Sequence, residues 1–184
     1  SHLLMRDRER LHLQVARALR ATLGRRTRRH YAVLAYHYER ARAWEQTLRF
    51  AVLAALEAQS NYAHADTLSF ADKAIHAARQ LPRNAFSLAW EIPAHWAKAH
   101  VFRLLGEAGA ASGASIRALQ LTRQLGWPDK LGLAHYDIGF SYQASGDYEK
   151  AKQCFRAALQ IWHKANMPEG ELRGHVALGA CYYY

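Results

Sequence analysis

The sequence predicts an all-α fold, a right-handed superhelical solenoid of antiparallel helical hairpins, and three observations predict it. Apolar residues make up 51% of the 184 positions and recur three and four apart, the spacing of one helix face rather than of a strand. Four prolines and eleven glycines fall at intervals rather than in clusters, which suits helices joined by short turns. The C-terminal half also repeats itself. Residues 106–144 laid against 146–184, an offset of 40, give nine identities in 39 pairs, among them Gly106/Gly146, Ala111/Ala151, Ala118/Ala158, Pro128/Pro168, His135/His175, Gly139/Gly179 and Tyr142/Tyr182. A unit of that size buries too little alone, so copies stack into one continuous core.

The elements follow from the chemistry at the repeated positions. The spacing predicts helices over 8–22, 29–41, 44–59, 62–81, 85–105, 107–125, 130–145, 148–165 and 170–184. Ala111 and Ala118, like Ala151 and Ala158, are seven apart, so each pair shares one face and lets a neighbouring helix close in. Gly139 and Gly179 fall inside helices, where glycine costs about 1 kcal/mol against alanine; close approach of a neighbouring helix backbone explains them. Tyr142 and Tyr182, three residues on, fill the space between hairpins. Gly146 ends one helix and Asp147 caps the next. Pro128 and Pro168 mark where one unit stops and another begins.

The run Ile138-Gly139-x-x-Tyr142, Gly146-Asp147-Tyr148-x-x-Ala151, Phe155 and Ala158 resembles the tetratricopeptide repeat, whose pattern places a Leu-Gly pair, Tyr, Ala, Phe and Ala at these spacings. Leu178-Gly179-x-x-Tyr182 starts another copy. The resemblance is specific over 129–166, good over 106–128 and weak before 90. Two departures stand out: the period is 40 rather than 34, as in a longer-helix subtype, and the fourth position, usually Trp, is His95, His135 or His175. The resemblance implies a non-catalytic scaffold that binds a protein, peptide or small effector on the concave face formed by the first helix of each unit. Carried onto this frame, that face consists of Trp96, His100 and Arg103, then Tyr136, Phe140 and Gln143, then Arg173, Val176 and Tyr183. Aromatic and arginine residues are the types that anchor interfaces; packing against the next hairpin is the plainer role for Trp96 and Phe140.

Upstream the pattern is degenerate. Leu34-Ala35-x-x-Tyr38 followed by Trp44-Glu45-x-x-Leu48 reads as one hairpin. Together with Arg8-Glu9-Arg10-Leu11-His12 and the helix it opens, this segment is similar to the stretch after the ATPase module in bacterial regulators of the AAA/STAND type and in ATPase-linked nucleotide cyclases. That resemblance implies an attached upstream ATPase or regulatory domain, and hence the sensing region of a larger signal-transduction or transcription regulator. Three tyrosines at 182–184, inside the first helix of an unfinished unit, suggest a fragment of a longer chain. The expectation is one repeat domain over 1–184, degenerate over 1–89 and clearer over 90–184.

Charge supplies the alternative function. Residues 1–49 hold twelve Lys and Arg against four acids, a net of +8, and the remaining residues hold thirteen against eleven, a net of +2. Arg25, Arg26, Arg28 and Arg29 could contact a polyanion such as nucleic acid, with the steep salt dependence of phosphate contacts; a solvated helix face is the plainer reading. No apolar run reaches the roughly 18–20 residues of a membrane span, and no secretory leader pattern opens the chain, so the expectation is a cytoplasmic protein with no membrane association. The two cysteines, Cys154 and Cys181, lack CxxC spacing, which argues against a disulfide framework or a cysteine zinc site. Equivalent helices lie about 8–10 Å apart, too far for His95, His135 and His175 to share an ion bound at about 2 Å; they read as polar spacers in the core. There is no phosphate loop, no His-Glu-x-x-His and no base beside Cys154. The expectation is no catalysis, no cofactor and no metal.

Overall fold

The computed structural model describes residues 2–23 and 30–183, with side chains from residue 4 onward. Arg25, Arg26, Arg28 and Arg29 fall outside the described residues. The helices are α1 His2–Leu23, α2 Tyr31–Arg40, α3 Trp44–Ser60, α4 His64–Arg79, α5 Ala85–Leu104, α6 Ala108–Leu125, α7 Pro128–Ala144, α8 Tyr148–Lys164 and α9 Pro168–Ala180. No strand occurs among the described residues. Most boundaries agree with the sequence expectation to within two residues. Two ends differ by more: α1 begins at His2, six residues before the expected start, and α9 stops at Ala180, with Tyr182 and Tyr183 beyond it, exposed.

The turns share one design. At five of them the backbone N–H three residues past the helix end reaches back to a carbonyl five residues earlier: Ala43 to Tyr38, Ala63 to Ala58, Glu107 to Phe102, Asp147 to Tyr142 and Met167 to Trp162, at 2.8–2.9 Å. This bond satisfies a carbonyl that the helix leaves orphaned and requires a left-handed residue between. Gly146 supplies it at φ +79°. Asp147 then accepts a bond from the Lys150 backbone N–H at 3.2 Å, capping α8 as expected. Pro128 and Pro168 take the first positions of α7 and α9, where their missing N–H costs nothing.

The described chain divides into two compact units, Ser1–Ala97 and Lys98–Tyr184. In the first, α1 packs on α2, α2 on α3 and α3 on α4. Leu34, Ala35, Leu48, Ala51, Ala71, Ala74, Ala77 and Ala78 are fully buried along these contacts; alanines keep the helix axes close. Tyr38 lies flat on Phe50, ring centroids 5.4 Å apart. Glu91 on α5 is buried, yet Arg83 forms an ion pair with one of its oxygens and His95 stands 3.4 Å from the other. Burial by itself would raise its pKa; the bonds and charges of His95 and Arg83 outweigh that and hold the carboxyl below its ordinary value.

In the second unit α6 packs on α7, α7 on α8 and α8 on α9. Ala111, Ala118, Ala151 and Ala158 are all fully buried, as the repeat requires. The glycines work differently from expectation. A Cβ on Gly139 would meet the Phe155 ring at 2.4 Å, so the close neighbour is a side chain and not a helix backbone; around Gly179 nothing lies within 4 Å. The tightest fit is at Trp162, whose ring presses on both Gly132 and Gly170. Tyr142 is half-buried rather than enclosed, with Lys150 Nζ 5.5 Å from its ring centre. The histidine column also divides: His95 is buried, His135 half-buried and His175 exposed, so only His95 fits the description of a core spacer.

Candidate functional site

Of the residues expected to line a binding face, the second unit brings several together on α7. Tyr136 and Phe140 are one helical turn apart and meet edge to face at 4.8 Å. Both rings are held from behind: Phe155 lies 5.3 Å from Phe140 and 5.7 Å from Tyr136, and Trp162 lies 5.6 Å from Tyr136. Each is half-buried, so these rings are both part of the hairpin core and part of its surface. Gln143, one turn further along α7, is also half-buried.

Charged groups surround this pair. Arg103 on α5 places Nη2 3.6 Å from an oxygen of Asp137 on α7, and both side chains are largely buried. Arg103 Nη1 is buried without a hydrogen-bond partner. Burial pushes the Asp137 carboxyl above its ordinary pKa, and the Arg103 charge opposes the shift. Burial likewise raises the Tyr136 hydroxyl; Arg173 on α9 opposes that shift and Asp137 adds to it. Arg173 and Val176 are exposed on α9, and Tyr183 beyond it is 91% exposed. His100 on α5 is half-buried. Trp96 belongs to the first unit, where it is half-buried with its indole N–H unpaired.

Asp137 is the residue that sequence reasoning missed. The available signal was a lone carboxylate inside the apolar and aromatic run His135–Phe140; an acid there needs a cation to tolerate burial.

The arrangement places two half-buried rings, a buried ion pair and two exposed groups on one unit. Burial pushes the Cys154 thiol up and does the same at Cys181, where Lys152 opposes it, so neither is poised as a thiolate. Among the described residues no three of His, Cys, Asp and Glu converge as metal ligands, and no described helix is long and apolar enough to cross a membrane.

The fold is an all-α, tetratricopeptide-like set of helical hairpins, and residues 132–164, which hold α8 and most of α7, match the tetratricopeptide repeat family. Among solved structures the chain is similar to a Rap protein complexed with Competence and Sporulation Factor (18% identity, TM-score 0.63, covering 84% of this chain and 44% of that one). It is similar to the apo form of RapI (14%, TM-score 0.69, covering 84% and 43%). It is also similar to BtubC (BKLC) from P. vanneervenii (17%, TM-score 0.65, covering 86% and 62%). The chain therefore spans less than half the length of the two Rap structures. No curated protein sequence matches it.

Proposed function

We propose that this chain is a non-catalytic scaffold that holds a peptide or protein segment on the first-helix face of its C-terminal hairpins, within a larger cytoplasmic signal-transduction or transcription regulator. The observation that carries the reading is the Tyr136–Phe140 pair, fixed from behind by Phe155 and Trp162 and bordered by Arg103, Asp137 and Arg173. Rigid aromatic anchors give contact area at small entropic cost, and an arginine fork reads a carboxylate or a backbone carbonyl. The likeness to a Rap protein that holds a factor supports a fold able to do this.

The test uses exposed residues so that the fold survives. Peptides are selected from a random display library on the purified chain and then titrated against variants. Arg173→Glu and Val176→Asp on α9 should each weaken the selected peptides by about tenfold or more, the usual size of an interface anchor's loss. Replacing Arg25, Arg26, Arg28 and Arg29 together by Gln should leave them bound. The opposite pattern would transfer the function to the basic N-terminal quarter and to nucleic acid, with a steep dependence on salt.

A further inference from the structure

A second surface, between α1 and the end of α2 in the first unit, has a chemistry of its own. It is an open groove of about 810 Å³, within the roughly 300–1,000 Å³ of small-molecule sites. Three arginines reach it: Arg8 from α1, Arg40 from the last turn of α2, and Arg42 from the turn that follows. Two acids reach it as well, and both are engaged. Glu9 takes Arg42 at 3.4 Å, and Glu39 forms an ion pair with Lys73 of α4. Arg8 and Arg40 are left with no acidic partner among the described residues. Arg40 is also pre-set, because its guanidinium lies 5.4 Å over the Tyr36 ring. That cation–π contact holds the guanidinium without using its N–H groups in a hydrogen bond.

We infer that this groove binds a small phosphate monoester carrying a flat ring. Two free guanidinium forks supply the donors that the three oxygens of a monoester accept, which a single carboxylate would leave half unused. Met5, 53% exposed, and the half-buried Trp44 form the apolar wall beside the Tyr36 ring that holds Arg40. They offer the rest of the ligand a flat, soft contact. A polyanion fits less well. Its neighbouring charges would meet Glu9 and Glu39, which line the same groove. His12, also on the groove, stands beside His37 at 2.9 Å between ring nitrogens and borders Tyr36 edge-on. This site goes beyond the scaffold reading and does not depend on it.

Isothermal titration of the whole chain with AMP, adenosine and inorganic phosphate tests the inference. AMP should bind, adenosine should not, and phosphate alone should bind more weakly, which separates the phosphoryl contribution from that of the ring. Arg8→Gln and Arg40→Gln are exposed substitutions and should each reduce AMP affinity by about tenfold, the loss of one charge-assisted contact. Arg17→Gln, on α1 but outside this groove, should change nothing. Circular dichroism of each variant shows whether the helices persist. The inference is overturned if AMP gives no heat at millimolar concentration. It is overturned equally if the Arg8 and Arg40 variants bind AMP as the parent does, or if a short oligonucleotide binds where AMP does not.

Discussion

Trp162 sits where three glycines make room for it. A Cβ on Gly132 would come within 2.3 Å of the indole nitrogen, one on Gly170 within 2.5 Å of the ring carbons, and one on Gly174 within 3.4 Å of its far edge and 2.7 Å of Leu159. The ring is rigid and buried at 3% exposure, so it cannot yield to an added methyl. Gly132→Ala and Gly170→Ala should therefore each destabilise the second unit by about 1–3 kcal/mol through overpacking. Gly109 and Gly113 in α6 have nothing within 4 Å, and alanine there should add about 0.5–1 kcal/mol of stability. Chemical denaturation of the four variants reads this difference directly; equal effects at all four would mean that Trp162 is not seated on Gly132 and Gly170. The helical period was enough to put Tyr136, Phe140 and Gln143 on one face. It was silent on Asp137 and on its pairing with Arg103, because an ion pair between residues 34 positions apart has no signature in local spacing.

At the scale of elements, the helices were legible because each is bounded by a turn residue whose backbone requirement shows in the sequence where glycine fills it. Left-handed residues fall at Gly106, Gly126, Gly146 and Asn166, twenty apart, which is half the repeat of 40. The same interval separates Arg42 from Tyr62, both left-handed without being glycine. Between Tyr62 and Gly106 the distance is 44, so four extra residues shift the register across α4 and α5. That shift, together with the lost glycines, is why the repeat faded upstream of residue 90 even though the Tyr38 and Tyr142 turns share the same hydrogen bonding. Placing α9 too far toward the C-terminus has a different cause: three apolar tyrosines extend the pattern past the point where the backbone turns. A side chain in the left-handed region costs about 1–2 kcal/mol, partly offset because glycine loses more entropy on folding. Tyr62 is 79% exposed and has little packing to lose. Tyr62→Gly should thus raise stability by about 0.5–1 kcal/mol, seen as a higher melting temperature, while Asn61→Gly, on the neighbouring right-handed backbone, should lower it. A melting temperature that falls for both would break the link between that turn and glycine.

Across the whole molecule, acid acts on both units through histidines held neutral. In the first unit burial lowers the His37 pKa, and the nearby His12 charge lowers it further. The two ring nitrogens are 2.9 Å apart, so one donates and the other must accept as a neutral ring. In the second unit burial lowers the pKa of His135, helped by the Arg123 charge. A histidine with a depressed folded pKa binds fewer protons folded than unfolded, so stability falls as pH drops below its ordinary value near 6.5. Glu91 adds to the loss only further down, below its ordinary value of 4.5, where the unfolded carboxyl takes up a proton that the folded one resists. Asp137 runs the other way: its raised pKa lets the folded form gain a proton first, returning some stability as the pH falls. The histidine contribution enters between pH 7.5 and 5.5, as the pH passes their ordinary value near 6.5. The melting temperature should decline over that interval in the parent, and the decline should shrink in His37→Gln and again in His135→Gln, most in the double variant. Calorimetry at several pH values and constant ionic strength provides the measurement. A parent profile that is flat from 7.5 to 5.5, or a double variant as steep as the parent, would show that neither ring is kept neutral by its place in the fold.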